Sequence, residues 1–250
     1  MTDKDRFTVR VHRREGPDGE PFWEEFALRF RPGMNVIIAL RDIQDSPVTT
    51  DGRRTTPVAW ECSCLEEVCG ACAMLINGVP RQACSTLIPG PGSRIVLEPL
   101  SKFPPVRDLI VDRSSLLRNF KKVRAWIPID LTYGAGPGPR VSQEVQEESY
   151  PLSRCITCGC CLEACPQVNA RSPFMGAAVL NQVTLINAHP TGHMNRADRL
   201  AAVRESGGLS GCGNAQNCAR VCPKEIPLVG SIARRNREAL VDGLTRWLGK

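Results

Sequence analysis

The sequence predicts an α+β chain. Two patterns carry that prediction: apolar residues alternate with polar ones through the first hundred positions, and they recur at helical spacing from about position 150 onward. A third observation, thirteen cysteines in three groups, says what the fold is built to hold. Hydrophobic residues are 42% of 250, enough for ordinary cores, and the length suits two modest domains.

Phe7, Val9 and Val11 alternate with Thr8, Arg10 and His12, the pattern of a half-buried strand. Gly16-Pro17-Asp18-Gly19 is a turn, and Phe22, Phe26, Leu28 and Phe30 then share a face of a second strand. After Pro32-Gly33, the spacing of Val36, Ile37, Leu40 and Ile43 predicts a short helix. Ala73–Ile76, Asn77-Gly78 and the segment from Val79 read as a hairpin with a type I′ turn, and Arg94–Leu97 is a further strand. Past Pro104-Pro105 the character changes, which places a domain boundary between 106 and 107. Leu116, Leu117, Phe120 and Val123 fit a helix face, with Asp112 as its cap. The Gly/Pro run at 134–139 is a loop; its prolines lack the N–H groups that a phosphate cradle needs. Ser172-Pro173 predicts a helix start, and Ile232, Ala239, Leu240, Leu244, Trp247 and Leu248 predict a core-facing stripe.

The charged N-terminus has no apolar leader segment, so a reducing compartment is expected and the cysteines read as metal ligands. The apolar runs Val36–Leu40 and Gly176–Leu180 are too short to span a membrane. The net charge of +6, with Arg13-Arg14, Lys121-Lys122 and Arg234-Arg235, reads as solvated surface, and no nucleic-acid partner is expected. Anionic clusters of roughly −2 each would offset most of that excess.

Cys64, Cys69, Cys72 and Cys84 give the plant-type C-x4-C-x2-C spacing with a distal fourth ligand, which points to a [2Fe–2S] cluster. Gly70 and Ala71 keep side chains clear of a loop that must aim N–H groups at sulfur. Cys62 is left over and reads as a small buried thiol. Cys155, Cys158, Cys161 and Cys165, followed by Pro166, spell the bacterial run whose fourth cysteine serves the other cluster. Cys212, Cys218, Cys222 and Pro223 repeat it, with Ala215 where the template has cysteine. The ligands then divide. Cys155, Cys158, Cys161 and Cys222 make a [4Fe–4S] site, while Cys165, Cys212 and Cys218 offer three thiolates and hence a [3Fe–4S] site; a labile [4Fe–4S] with an outside ligand is the competing reading. Cys160 is spare and reads as a structural thiol, with a ligand swap with Cys161 as the alternative. A zinc-binding adaptor is the alternative class, but its ligand pairs are spaced differently.

These residues resemble the iron–sulfur subunits of succinate dehydrogenase and fumarate reductase. The resemblance rests on Cys64–Cys72 with Asn77-Gly78, Arg81 and Cys84, on Val106-Arg107-Asp108-Leu109 with Val111-Asp112, and on the two later cysteine runs. It implies a β-grasp plant-type [2Fe–2S] ferredoxin domain (1–106) and an all-α two-cluster ferredoxin-like domain (107–250). It also implies an FAD-containing flavoprotein partner that handles succinate or fumarate. A cytochrome b-type membrane anchor, with haem in many members, would hold the quinone site at the cytoplasmic face of the inner membrane. No catalytic residue is expected on this chain: His12, His189 and His193 are scattered and read as surface or capping residues. Two departures concern the quinone pocket. No tryptophan follows Cys165-Pro166, which leaves Pro166 as the candidate there, and Gly213 stands where many members have histidine. The Leu65-Glu66-Glu67 loop is similar to that of menaquinone-linked enzymes, with ubiquinone the alternative. The Fe–S subunit of a different oxidoreductase remains a further reading.

Overall fold

The computed structural model describes residues 5–128 and 139–248. Gly134–Gly138 of the expected loop and the Trp247 side chain lie outside the described residues. The strands are β1 (Arg6–Arg13), β2 (Phe22–Arg29), β3 (Ala73–Ile76), β4 (Val79–Gln82), β5 (Arg94–Glu98), β6 (Pro105–Arg107) and β7 (Ile110–Val111). The helices are α1 (Val36–Asp45), α2 (Ser114–Lys122), α3 (Gln143–Ser153), α4 (Cys160–Glu163), α5 (Ala177–Ala188), α6 (Pro190–His193), α7 (Arg196–Arg204), α8 (Asn217–Arg220) and α9 (Leu228–Trp247).

Packing divides the chain into two units. One runs to Arg113 and also takes in Ile156–Glu163; the other holds Ser114–Cys155 and Ala164 onward. The sequence boundary at 106 cuts through the small β6–β7 ribbon, which the alternation pattern did not reveal and which stays with the first unit.

In the first unit β1 pairs antiparallel with β2 and parallel with β5, giving the order β2-β1-β5-β3-β4. Val9 and Val11 of β1, Phe26 of β2, Leu40 and Ile43 of α1, and Leu97 of β5 are among the residues that form its core. This is a β-grasp sheet under one helix. Asn35 starts that helix by accepting from the Ile38 N–H at 3.0 Å. Its amide also donates to the Cys84 carbonyl at 2.8 Å, so the helix cap fixes a cysteine as well. Asn77 and Gly78 both have positive φ, as the type I′ hairpin requires.

Several expectations are corrected. Phe22 is exposed, and the inward position of β2 before Phe26 is Glu24. Arg13 is not surface: it is 1% exposed, and its guanidinium binds Glu24 and, at 2.9 Å, Asp108. Asp108 also accepts from the Arg14 and Ala59 N–H groups, which pins the 105–111 ribbon to the sheet. In the second unit Arg235 is buried beside Glu238. Helix α5 begins at Ala177 rather than at Ser172-Pro173, because Met175 donates to the Gly207 carbonyl and holds 173–176 out of helical geometry. Leu116 and Val123 of the α2 region are buried, but Leu117, one residue round the helix, is exposed. On α9, Ile232 and Ala239 face inward, whereas Leu240, Leu244 and Leu248 face water. The stripe is two faces a quarter-turn apart, not one.

The second unit is built on α5, which packs on α9 and α3. Most of α5 is buried, and two of its polar side chains tie it to its neighbours: Asn181 donates to the Leu152 carbonyl and Thr184 accepts from Ser231. Among the described residues no helix is long and apolar enough to cross a membrane.

Replacing Asp108 with alanine would leave the buried Arg13 guanidinium with Glu24 as its remaining carboxylate and the Arg14 and Ala59 N–H groups without their acceptor. We expect a loss of about 3–5 kcal/mol, read by urea unfolding followed by circular dichroism, with Arg107→Ala, at an exposed neighbour, close to wild type.

Candidate metal centres

The first cysteine loop is organised round sulfur. The N–H groups of Glu66, Val68 and Cys69 donate to the Cys64 Sγ at 3.4, 3.2 and 3.3 Å. The Ala71 N–H donates to the Cys69 Sγ at 3.4 Å. This convergence needs unusual backbone: Leu65, Glu67 and Gly70 have φ of 61°, 56° and 74°. Left-handed residues alternating with right-handed ones turn successive N–H groups into one concavity that suits an anion. A non-glycine residue there costs roughly 1–2 kcal/mol, so Leu65 and Glu67 represent strain that the sequence alone did not betray. The N–H groups of Glu66 and then Val68 bring the Cys64 thiol down to about 7. The thiols also pair, Cys64 with Cys69 and Cys72 with Cys84. Burial pushes Cys72 up to about 12. Two thiol pairs, convergent N–H donors and a side-chain-free Gly70 fit a [2Fe–2S] cluster. Cys62 is exposed, not the buried thiol expected, because the chain before Cys64 runs along the surface.

The middle of the second run belongs to the first unit. A Cβ on Gly70 would lie 2.6 Å from the Ile156 carbonyl oxygen and 3.0 Å from the Cys158 Cα. Gly159, with φ of 89°, lies against the Phe103 ring, and Glu163 accepts from the Ser101 hydroxyl and the Lys102 N–H. Cys158 and Cys161 are each 8% exposed and Cys160 is fully buried. A hydrogen bond from Cys160 brings the Cys158 thiol down to about 7 against the effect of burial, with the Arg113 charge assisting. The same Cys158–Cys160 contact, then burial, raises Cys160. Arg113 also donates to the Ala71 and Ala73 carbonyls at 3.0 and 3.4 Å. Cys155 and Cys222 belong to the second unit.

The third group gathers within the second unit. Cys165, Cys212 and Cys218 line one small pocket, and Ala215 and Pro166 lie on its wall. Burial, then the neighbouring Cys165 and Cys212, raises Cys218. The loop repeats the backbone of the second run. Thr157 and Asn214, each two residues past the first cysteine, have φ of 50° and 54°; Gly159 and Gln216 follow at 89° and 60°. Ala215 therefore occupies the place that Cys158 has in its own loop. At Gly213 the space for a side chain is taken by Gln167, whose Nε2 is 2.7 Å from where a Cβ would sit.

Among the described residues no three His, Cys, Asp or Glu side chains converge on a point for a single metal ion. Cluster thiolates bind separate irons and need not converge. His189 caps α6 by accepting from the Gly192 N–H, His193 contacts the Asn187 carbonyl, and His12 packs edge-on to Trp23, so none of the three lines a metal centre.

A β-grasp sheet holding a sulfur-wrapping loop, in a chain that carries two further ferredoxin cysteine runs, defines an iron–sulfur protein. Residues 8–118 match the family described as 2Fe-2S iron-sulfur cluster binding domain, and 151–226 match the 4Fe-4S dicluster domain. The chain is 51% identical over 249 residues to the succinate dehydrogenase iron-sulfur subunit of Bacillus subtilis, covering 100% of this chain and 98% of that one. It is 31% identical to the fumarate reductase iron-sulfur subunit of Wolinella succinogenes, covering 92% and 96%. The solved Mycobacterium smegmatis Sdh1 complex in the apo form contains a chain that superposes with a TM-score of 0.76 at 26% identity, covering 94% of this chain and 96% of that one. The chain belongs to the family of succinate dehydrogenase and fumarate reductase iron–sulfur subunits, components of an oxidoreductase complex.

Gly70→Ala combines an unfavourable φ with a backbone collision. We expect the variant to lose the [2Fe–2S] signal in low-temperature EPR and about two irons per chain, while far-ultraviolet circular dichroism stays at the wild-type level.

Proposed function

We propose that this chain is the electron conduit of a succinate:quinone oxidoreductase. Cys64, Cys69, Cys72 and Cys84 would hold the [2Fe–2S] cluster. Cys155, Cys158, Cys161 and Cys222 hold [4Fe–4S], and Cys165, Cys212 and Cys218 hold [3Fe–4S]. When bound, the three clusters supply one-electron carriers between a two-electron flavin and a membrane quinone. Substrate chemistry is left to the partner flavoprotein with its FAD.

The observation that carries this reading is the third pocket. Three thiols surround it, its loop has the backbone of a complete cluster loop, and Ala215 sits at the missing ligand's place. Ala215 offers no side-chain donor, so that corner has no ligand for a fourth iron, which favours the three-iron form over a labile [4Fe–4S]. The 51% identity to a succinate dehydrogenase subunit supports succinate oxidation as the working direction. Fumarate reduction, favoured by the 31% relative, is the second reading. Exposed Leu65 and Val68 on the first loop, with Leu87 just beyond Cys84, give an apolar rim suited to the flavoprotein. A cytochrome b-type anchor, with haem, would hold the subunit at the cytoplasmic face of the membrane. Pro166, on the wall of the third pocket, is the residue we assign towards the quinone, with menaquinone as its form.

Anaerobically prepared protein should contain about nine irons per chain, from two, four and three. Oxidised wild type should give a three-iron EPR signal, and Ala215→Cys should replace it with a [4Fe–4S] signal that appears only on reduction. About eight irons with no [2Fe–2S] signal would point instead to a different oxidoreductase.

A further inference from the structure

β4 ends on an unusual residue. Its inward positions are Pro80 and Gln82, and Gln82 is 1% exposed. A buried carboxamide is costly if its groups go unpaired, and an apolar side chain would suit this place better. Yet Gln82 is bonded at both ends to sulfur. Its Oε1 accepts from the Cys72 thiol at 3.5 Å, and its Nε2 donates to the Cys160 Sγ at 3.6 Å. Cys72 is one of the four cysteines of the first loop. Cys160 is the spare thiol of the second run, fully buried and hydrogen-bonded to Cys158. One side-chain amide and one thiol thus connect a cysteine of the first group to a cysteine of the second without a break, all within the first unit.

We infer that Gln82 and Cys160 form a second-sphere bridge that ties the reduction potential of the [2Fe–2S] centre to the ligand shell of the next one. The inference rests on the ligand reading given above. Its chemistry follows from what each atom can do. A cysteine bound to iron is a thiolate: it has no proton to donate and its sulfur only accepts. Oε1 cannot face such a sulfur favourably, but Nε2 can. A half-turn about the last side-chain bond exchanges the two. Nε2–H then donates to Cys72, and Oε1 turns to Cys160, whose one S–H swings from Cys158 to donate to it, while the Cys160 backbone N–H keeps its hydrogen bond to the Cys158 sulfur. The chain of bonds runs from Cys160 through Gln82 to Cys72, each bond polarising the next. Reduction adds negative charge at the sulfurs, so a donor to Cys72 favours the reduced form and raises the potential. Cys160 acts on the first centre through the amide, by fixing which way Gln82 points. Both are positioning residues, and neither is a ligand.

The test is an EPR-monitored redox titration of the assembled complex. Gln82→Leu keeps the bulk and removes the donor. We expect it to shift the one-electron equilibrium of the [2Fe–2S] centre about tenfold towards the oxidised form, which lowers its midpoint by about 59 mV. Cys160→Ala should lower the same midpoint by less, and Cys160→Ser, which keeps a donor hydroxyl, should restore it. The double variant Gln82→Leu/Cys160→Ala should shift no further than Gln82→Leu alone, because the two residues act as one unit. The bridge is overturned if Cys160→Ala leaves the [2Fe–2S] midpoint at the wild-type value while moving only the [4Fe–4S] midpoint. It is equally overturned if Gln82→Leu moves nothing. Should Gln82→Leu fail to retain the first centre, the Cys160→Ala and Cys160→Ser pair carries the test alone. A wild-type complex without a [2Fe–2S] signal would bring down the ligand reading and the bridge with it; with that signal present, only the bridge is at stake.

Discussion

The first unit is organised by one electrostatic need: sulfur that carries negative charge must meet N–H donors. A thiolate attracts donors but does not hold them in place, so the backbone has to be bent towards it in advance. Left-handed φ at Leu65 and Glu67 does this at a local cost, and three N–H groups then share the Cys64 sulfur. The sheet absorbs that strain. β3 and β4 hold the hairpin between Cys72 and Cys84, and the α1 cap residue Asn35 holds the Cys84 carbonyl.

The same need explains why Ile156–Glu163 packs with the first unit although it lies far along the chain. Gly70 leaves room for the Ile156 carbonyl, Gly159 leaves room for Phe103, and Glu163 takes two donors from Ser101 and Lys102. Three separate contacts, two of them possible only without a Cβ, fix Cys158 and Cys161 on a rigid base. Arg113 adds a positive charge near Cys158 while bonding the carbonyls of the first loop.

Much of this was legible in the chain because its signals are local. The alternation at Phe7–Val11, the Asn77-Gly78 turn and the cysteine spacings each lie within a few residues, and the structure has the strand, the hairpin and the loops there. What escaped depended on distant partners. Arg13 looked like surface because Glu24 and Asp108, which neutralise it, are separated from it in sequence. Ser172-Pro173 looked like a helix start because Gly207, which captures Met175, lies beyond three helices. The leucines of α9 read as one stripe because a sequence gives spacing but not which neighbour covers each face. Gln82 gave no signal at all, since a glutamine at the end of a short strand is ordinary until its two sulfur neighbours are known.

In the second unit Arg199, 1% exposed, is solvated by the protein itself. Its guanidinium donates to the carbonyls of Arg124, Trp126 and Gly192 and to the Asn187 side-chain oxygen. Burial makes the charge less favourable, and these neutral dipoles offset that cost together with the nearby Asp198 carboxylate. Three fixed nitrogens serve four oxygens on the chain after α2, on α5 and on α6, a pattern that only a planar fork can match. Ionic strength acts differently on such a joint. Mobile ions weaken an exposed pair such as Arg124–Asp198, but they have no access to a cation enclosed by peptide oxygens, so the meeting point of these helices stays intact in brine.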